Sequence, residues 1–247
     1  MAEYRIWTHL ARRDLRVRYA QNRFGPWLST LALVALLTGT SIAVSVLGGV
    51  GIRVGLSQLA VSLTIWLFFS AVLIESAEIP ESERSLMLNT RLSLLHFVLR
   101  VIWRNILIGL HNWSIVIALC IALDHRTGFR TLLLPIALMI SSGIVIGPAF
   151  ALARLCFRQR EISKFVPAVV QIAFFVTPIL WADPGTGLGN VSVNLNPLAW
   201  PILVARDFIS NGQLSAFLLA SCIAATGVSL LVLWAAMNGS EKDKLWI

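Results

Sequence analysis

Charge is what this sequence has least of. Asp, Glu, Lys and Arg make up 13% of the 247 residues, about half the share of a soluble domain. That scarcity excludes a soluble enzyme domain, whose surface needs those charges, and a disordered chain, which is rich in them. Cysteine is scarce as well. Cys120, Cys156 and Cys222 lie far apart, in or beside apolar stretches. They show no metal-ligand spacing and read as small buried residues, which excludes a disulfide scaffold. The sequence contains no GxxxxGK(S/T), so it has no P-loop for a nucleotide. His9, His96, His111 and His125 are scattered, without an HExxH. No apolar run holds a pair of carboxylates. An enzyme inside a membrane needs such a constellation, so no catalytic and no metal-binding residue is assigned.

What is present is apolar surface in long runs. Hydrophobic residues make up 57% of the chain, and mean hydropathy is +0.79. About 20 residues of helix cross a hydrocarbon core. The uncharged runs predict six spans, at about 27–47, 54–74, 105–123, 131–153, 165–182 and 214–237. The stretch 184–205 is also uncharged but dense in Gly, Asn and Pro. Bare backbone is not tolerated against lipid, so this stretch is expected to form a loop with short, partly re-entrant helices. The expected fold is an all-α integral membrane chain, a single domain over 1–247 with no sizeable soluble part.

Lys and Arg number 20 against 12 Asp and Glu, a net charge of +8. In this setting the excess points to topology and lipid phosphate, not to nucleic acid. Six spans place sixteen basic residues on the side of the termini and four on the other side. The positive-inside rule then predicts cytoplasmic N- and C-termini. The first 23 residues hold six arginines and no compact apolar run, so no cleavable signal is expected. Within them Tyr4, Ile6, Trp7, Leu10, Ala11, Leu15 and Val17 share one helical face, and Arg5, His9, Arg12, Arg13 and Arg16 the other. That pattern predicts an amphipathic helix lying in the interface. Asp14 and Arg18 interrupt its apolar face at a spacing that lets them pair. Arg16, Arg18 and Arg23, next to the first span, either set topology or engage an anionic, lipid-linked substrate.

The stretch 75–104 is too long for a plain turn. Pro80 followed by Glu81 and Glu83 is a helix-start signal, predicting a short helix over 81–89 that either docks on a partner or is a solvated loop helix. A second basic segment, RLCFRQREISK, contains Arg158, Arg160 and Glu161 and has the same two readings. His111 and Asn112 sit inside the third span, where helix–helix hydrogen bonding competes with a functional role. Gly143 and Gly147 form a GxxxG, a mark of close helix contact. Phe174, Phe175, Trp181 and Trp200 cluster toward one end of the fifth span, as an interfacial belt or as a surface that stacks on sugars.

Four stretches carry a family resemblance: RRDLRVRYAQNRFGPWLS at 12–29, LRVIWRNILIGLHN at 99–112, RQREISKFVPAVVQIAFFVTPILW at 158–181 and NLNPLAWPILVARD at 194–207. With the ending KDKLWI, they resemble in order the membrane subunit of ABC-2 type exporters. The likeness is strongest to the polysaccharide and O-antigen export permeases, related to those for teichoic acids. The likeness implies a permease for a lipid-linked polysaccharide on an undecaprenyl diphosphate-type carrier. A second copy of the chain would complete the pore, and two separate subunits would bind ATP and Mg. The chain itself would hold no cofactor, and its home would be the bacterial cytoplasmic (inner) membrane. The resemblance places Glu81, Glu83 and Leu86 in the main coupling helix, Arg158, Arg160 and Glu161 in the second contact, and 196–211 in outer gate helices. Two other readings stand beside it: an ABC-2 permease for a drug, haem or small lipid, and a carrier or membrane enzyme outside that machinery.

Overall fold

The computed structural model describes residues 3–20, 25–48, 52–90, 92–123, 130–181, 193–212 and 214–238. Their regular structure is helical throughout, with no strand among the described residues. Helix α1 spans Glu3–Ala20, α2 Gly25–Gly48, α3 Ile52–Ser82, α4 Arg84–Thr90 and α5 Leu94–Leu123. A 3-10 turn at Thr131–Leu133 leads into α6, Leu134–Arg158. Helix α7 covers Glu161–Val176, α8 Ala199–Asn211 and α9 Ala216–Asn238.

Four helices are long and apolar enough to cross a membrane: Leu59–Ser82, Leu94–Ala122, Pro135–Arg158 and Ala216–Asn238. The chain is therefore of the multi-pass membrane class. Helix α2 adds a shorter apolar stretch, Leu31–Val46. Helix α3 is the hub, packed against α2, α5, α6, α7 and α8. Its Ala60, Val61, Ile65, Phe69 and Val72 are fully enclosed. Ser62, Thr64 and Ser76 on the same helix are buried too. Thr64 Oγ1 donates to Ala60 O at 2.7 Å, turning its hydroxyl back onto the helix.

Three expected boundaries are corrected. The second span was expected to end at 74, with a new helix starting after Pro80. Instead α3 runs through Pro80 to Ser82, and the short helix is Arg84–Thr90. Proline keeps a helical φ but has no N–H for the carbonyl four residues back, so the helix gives up one bond there and is carried past it by its packing. Ile79 and Pro80 are buried, and Glu83 N–H still reaches Ile79 O at 2.9 Å. The third span was expected from 105, but α5 begins at Leu94. Its 30 residues make a rod of about 45 Å, against about 30 Å of hydrocarbon. The apolar run marks only the part immersed in lipid. The fifth span was expected to continue to 182. Helix α7 stops at Val176 after 16 residues, and Thr177 is extended at φ −81°, ψ 137°. Pro178 disfavours the helical region for the residue before it, which accounts for the break.

The glycine pair behaves as expected. Helices α6 and α9 pack closely, and Gly147 N–H donates to Ser229 Oγ at 2.9 Å. A Cβ on Gly147 would collide with Ser229 O, and one on Gly143 would lie 2.9 Å from Thr226 Cγ2.

Candidate functional site

The amphipathic face read from the sequence is the face α1 buries. Ala11 is fully enclosed, Trp7, Leu10 and Leu15 are half-buried, and His9, Arg12, Arg13 and Arg16 are exposed. That face lies on α5, where Trp7 meets Trp103 edge-on at 5.9 Å between ring centroids. An edge-to-face pair places the positive rim of one ring over the negative face of the other.

Beside this aromatic contact is a cluster of charge. Arg100 Nε and Nη2 each donate to the carboxylate of Asp14 at 2.6 Å, a forked pair. Its Nη1 donates to Glu83 Oε2 at 3.1 Å. One turn along α5, Arg104 Nη1 donates to Asp14 Oδ2 at 3.0 Å and Nη2 to Glu75 Oε2 at 2.9 Å. Asn105 Nδ2 donates both to Glu75 Oε2 and to Val101 O. Two arginines of α5 thus bridge α1 to the end of α3 and to the elbow before α4. The Arg100 side chain is only 10% exposed and that of Asp14 17%, so neither water nor salt screens this pair as it would a surface one. A cleft of about 220 Å3 lies among these groups, lined also by Glu78, Ser82 and Phe97. Asp14, Glu75 and Glu83 are all bonded to guanidinium groups. The arrangement serves to hold helices together.

Of the candidate coupling and substrate-binding residues read from sequence, the cluster draws in only Glu83; it also takes in Asp14, which was noted for interrupting the apolar face of α1. Leu86 is half-buried and Glu81 exposed nearby in sequence. Arg16 is exposed on α1. The Arg18 side chain and Arg23 lie outside the described residues, and with them the suggested Asp14–Arg18 pair; Asp14 itself is bonded to Arg100 and Arg104. Arg158, Arg160 and Glu161 are exposed where α6 turns into α7, with Glu161 and Lys164 3.6 Å apart. Sequence reading missed Asp14, Glu75, Arg100, Arg104 and Asn105 as a unit. The available signal was the i, i+4 spacing of Arg100 and Arg104 on what proves to be one helix.

A second polar knot secures the break after α7. Asn196 Nδ2 donates to Thr177 Oγ1 at 2.8 Å, and Thr177 Oγ1 donates to Ala173 O at 2.8 Å. Asn196 Oδ1 accepts the Leu198 N–H at 3.0 Å, and Arg206 Nη1 donates to Pro178 O at 2.8 Å. These bonds answer backbone and side-chain groups that lipid would leave bare. Burial pushes the Asp207 carboxyl up and the Arg206 guanidinium down, each opposed by the other's charge. The aromatic candidates divide between the neighbouring segments. Phe174 packs on Trp66 at 5.8 Å and on Phe175 at 5.4 Å, and Phe175 is 63% exposed. Trp181 donates its indole N–H to Phe175 O at 3.2 Å, and Trp200 donates to Val193 O at 3.1 Å. Both tryptophans thus have their polar edges satisfied by backbone and only their ring faces to offer.

No protein-family model and no curated protein matches the chain.

Proposed function

We propose that this chain is the membrane-spanning permease subunit of an ABC-2 type exporter that moves a lipid-linked polysaccharide outward, driven by ATP hydrolysis on separate subunits. The observation that carries the reading is the helical elbow α3–α4–α5. Two span-length helices are joined by a short helix rather than a slack loop, and Glu83 at the elbow is bonded through Arg100 to α1. A rigid joint of this kind is what a membrane domain needs to receive force from a soluble motor, because a flexible loop would absorb it. The interrupted α7 and short α8 support the same reading, as a re-entrant element that narrows the outer end of a path. Six spans, cytoplasmic termini and an interfacial α1 belong to this proposal, as does a second copy completing the pore. Glu81, Glu83, Leu86, Arg158, Arg160 and Glu161 would meet the ATP-binding subunits. Arg16, Arg18 and Arg23 would engage the carrier diphosphate, and Phe174, Phe175, Trp181 and Trp200 the sugars.

The test is a photo-crosslinker at Ser85, an exposed position on α4. In native membranes it should yield an adduct with an ATP-binding protein. Deleting that protein or this chain should leave carrier-linked polymer on the cytoplasmic face. Adducts with lipid alone would sink the assignment.

A further inference from the structure

Helix α7 is apolar from Phe165 to Val176 apart from Gln171. Its buried residues are Val166 and Val170. On the opposite side Lys164, Ala168, Gln171 and Phe175 are all exposed. Their spacing, i, i+4, i+7 and i+11, is that of a coiled-coil seam. Phe165, Val169 and Ile172 run beside it, 67%, 62% and 65% exposed.

The depth and direction of this face follow from the packing. Phe174 meets Trp66, which lies within the membrane-length segment Leu59–Ser82. Glu75, on the same α3, reaches Arg104 and Asn105 of α5. At 100° per residue, Trp66 and Glu75 are about half a circle apart around α3. Helix α7 thus lies on the side of the hub away from α5, with its seam turned outward at the depth of the spans.

Hydrocarbon leaves an amide at this place bare. Exposed hydroxyls on other helices turn back onto their own backbone: Thr38 Oγ1 donates to Val34 O at 2.8 Å and Ser221 Oγ to Phe217 O at 2.9 Å. Gln171 makes no such bond among the described residues. Its amide holds two N–H donors and an acceptor oxygen, and leaving them unpaired in an apolar medium is costly. The same amide on a second copy answers both functions at once. On a two-fold axis along the membrane normal, each carbonyl faces the other copy's N–H. Lys164 begins the seam 3.6 Å from Glu161, which offsets repulsion between like charges of the two copies.

We infer that two copies of this chain meet along the α7 seam, with the Gln171 amides hydrogen-bonded across a two-fold axis and the small Ala168 letting the helices approach. A polar residue at one seam position also fixes the register. The inference deepens the proposed function, which calls for a second copy, and on that reading the seam closes the path between the copies. The association itself needs neither the polymer nor the ATP-binding subunits.

The test uses the full chain in phosphatidylcholine bilayers. Ala168→Cys and Phe175→Cys, each with Gln171 intact, should form chain–chain disulfides with copper phenanthroline. The parent should form none, because Cys120, Cys156 and Cys222 are buried. Leu231→Cys, on the exposed face of α9, should form none either. With no cysteine added, Gln171→Leu should weaken dimerisation about tenfold, roughly what two interhelical hydrogen bonds supply in a membrane. Energy transfer between labelled copies at stepped dilutions in lipid reads this out. Gln171→Asn, which keeps the amide, should weaken it less. A disulfide from Leu231→Cys in place of the seam positions, a monomer at every dilution, or Gln171→Leu associating as tightly as the parent would each overturn the inference. So would labelling of Phe175→Cys by a water-soluble maleimide without any disulfide, the sign of a seam open to water. None of these results touches the Ser85 adduct with an ATP-binding protein, so the interface and the transport reading fail separately.

Discussion

Replacing Asp14 by Asn should loosen α1 from α5 without unfolding the bundle. Asp14 accepts three charge-assisted bonds, two from Arg100 and one from Arg104. Breaking a buried ion pair costs about 3–5 kcal/mol when the partner is left stranded. Here neither arginine is stranded, because Arg100 keeps Glu83 and Arg104 keeps Glu75. The Trp7–Trp103 contact also survives, worth about 0.5–1.5 kcal/mol. The expected cost is therefore about 2–3 kcal/mol, near that of one hydrogen bond to a charged group lost outright. It corresponds to an increase of about 30- to 150-fold in the undocked population of α1. Ala11, fully enclosed on the same face, supplies the reporter. In an Ala11→Cys background, labelling by a water-soluble maleimide requires α1 to lift, and Cys120, Cys156 and Cys222 are buried. Asp14→Asn should accelerate labelling by the factor above, whereas Arg12→Gln on the exposed face should change it less than twofold. Combining Asp14→Asn with Arg100→Gln should cost less than the sum of the two, because both remove the same fork. Equal labelling rates in Asp14→Asn and its parent would refute the clamp.

Gly147→Ala should destabilise the protein by about 1–3 kcal/mol or more through overpacking, because its Cβ would strike the backbone of α9. Gly227→Ala, with nothing within 4 Å, should be neutral, and thermal unfolding in detergent compares the two. Asn196→Ala and Thr177→Val should each cost about 1–2 kcal/mol, with the double variant costing less than the sum, since they share one bond and each loses one of its own. Strict additivity would mean the bond carries nothing. On the proposed export function, changing Arg16, Arg18 and Arg23 together to Lys should preserve insertion and assembly with the ATP-binding subunits, because lysine keeps the charge that sets topology. Export should fall at least tenfold, because lysine cannot fork onto phosphate; undiminished export would leave these arginines a topological role alone.

The parts legible in the sequence are those that one element's own periodicity encodes. Arg12, Arg13 and Arg16 are exposed and Ala11 enclosed because a 100° repeat assigns them to opposite faces. Gly143 and Gly147 mark a helix contact because a bare Cα every fourth residue permits only that. Helix ends were less legible. Hydropathy reports immersion in lipid, so it found the apolar part of α5 and missed the three turns of the same helix that precede it. Proline has no fixed meaning by itself. At Pro80 the buried surroundings carry the helix past it, whereas at Pro178 the chain turns and Thr177 takes up a side-chain bond instead. The clamp was not legible at all, because Asp14 and Arg100 are 86 positions apart.

The clamp also ranks its own joints. Arg100 holds α1 by two bonds of 2.6 Å and the elbow by one of 3.1 Å. Arg104 repeats the pattern one turn further, joining α1 at 3.0 Å and the end of α3 at 2.9 Å. A displacement of α4 therefore loads the Glu83–Arg100 bond first, and Glu83 is also the most exposed carboxylate of the three that hold the two arginines. When that bond opens, water can compensate Glu83, whereas Asp14 and Glu75 stay engaged and α1, α3 and α5 keep their register. Carried further, the same displacement must rotate α3 against α5, which breaks bonds on both arginines at once and costs several times more. The first step is graded and cheap and the second cooperative. A joint with those two thresholds gives small thermal motions of α4 little purchase on the spans, while a sustained push through the elbow reaches all three helices together.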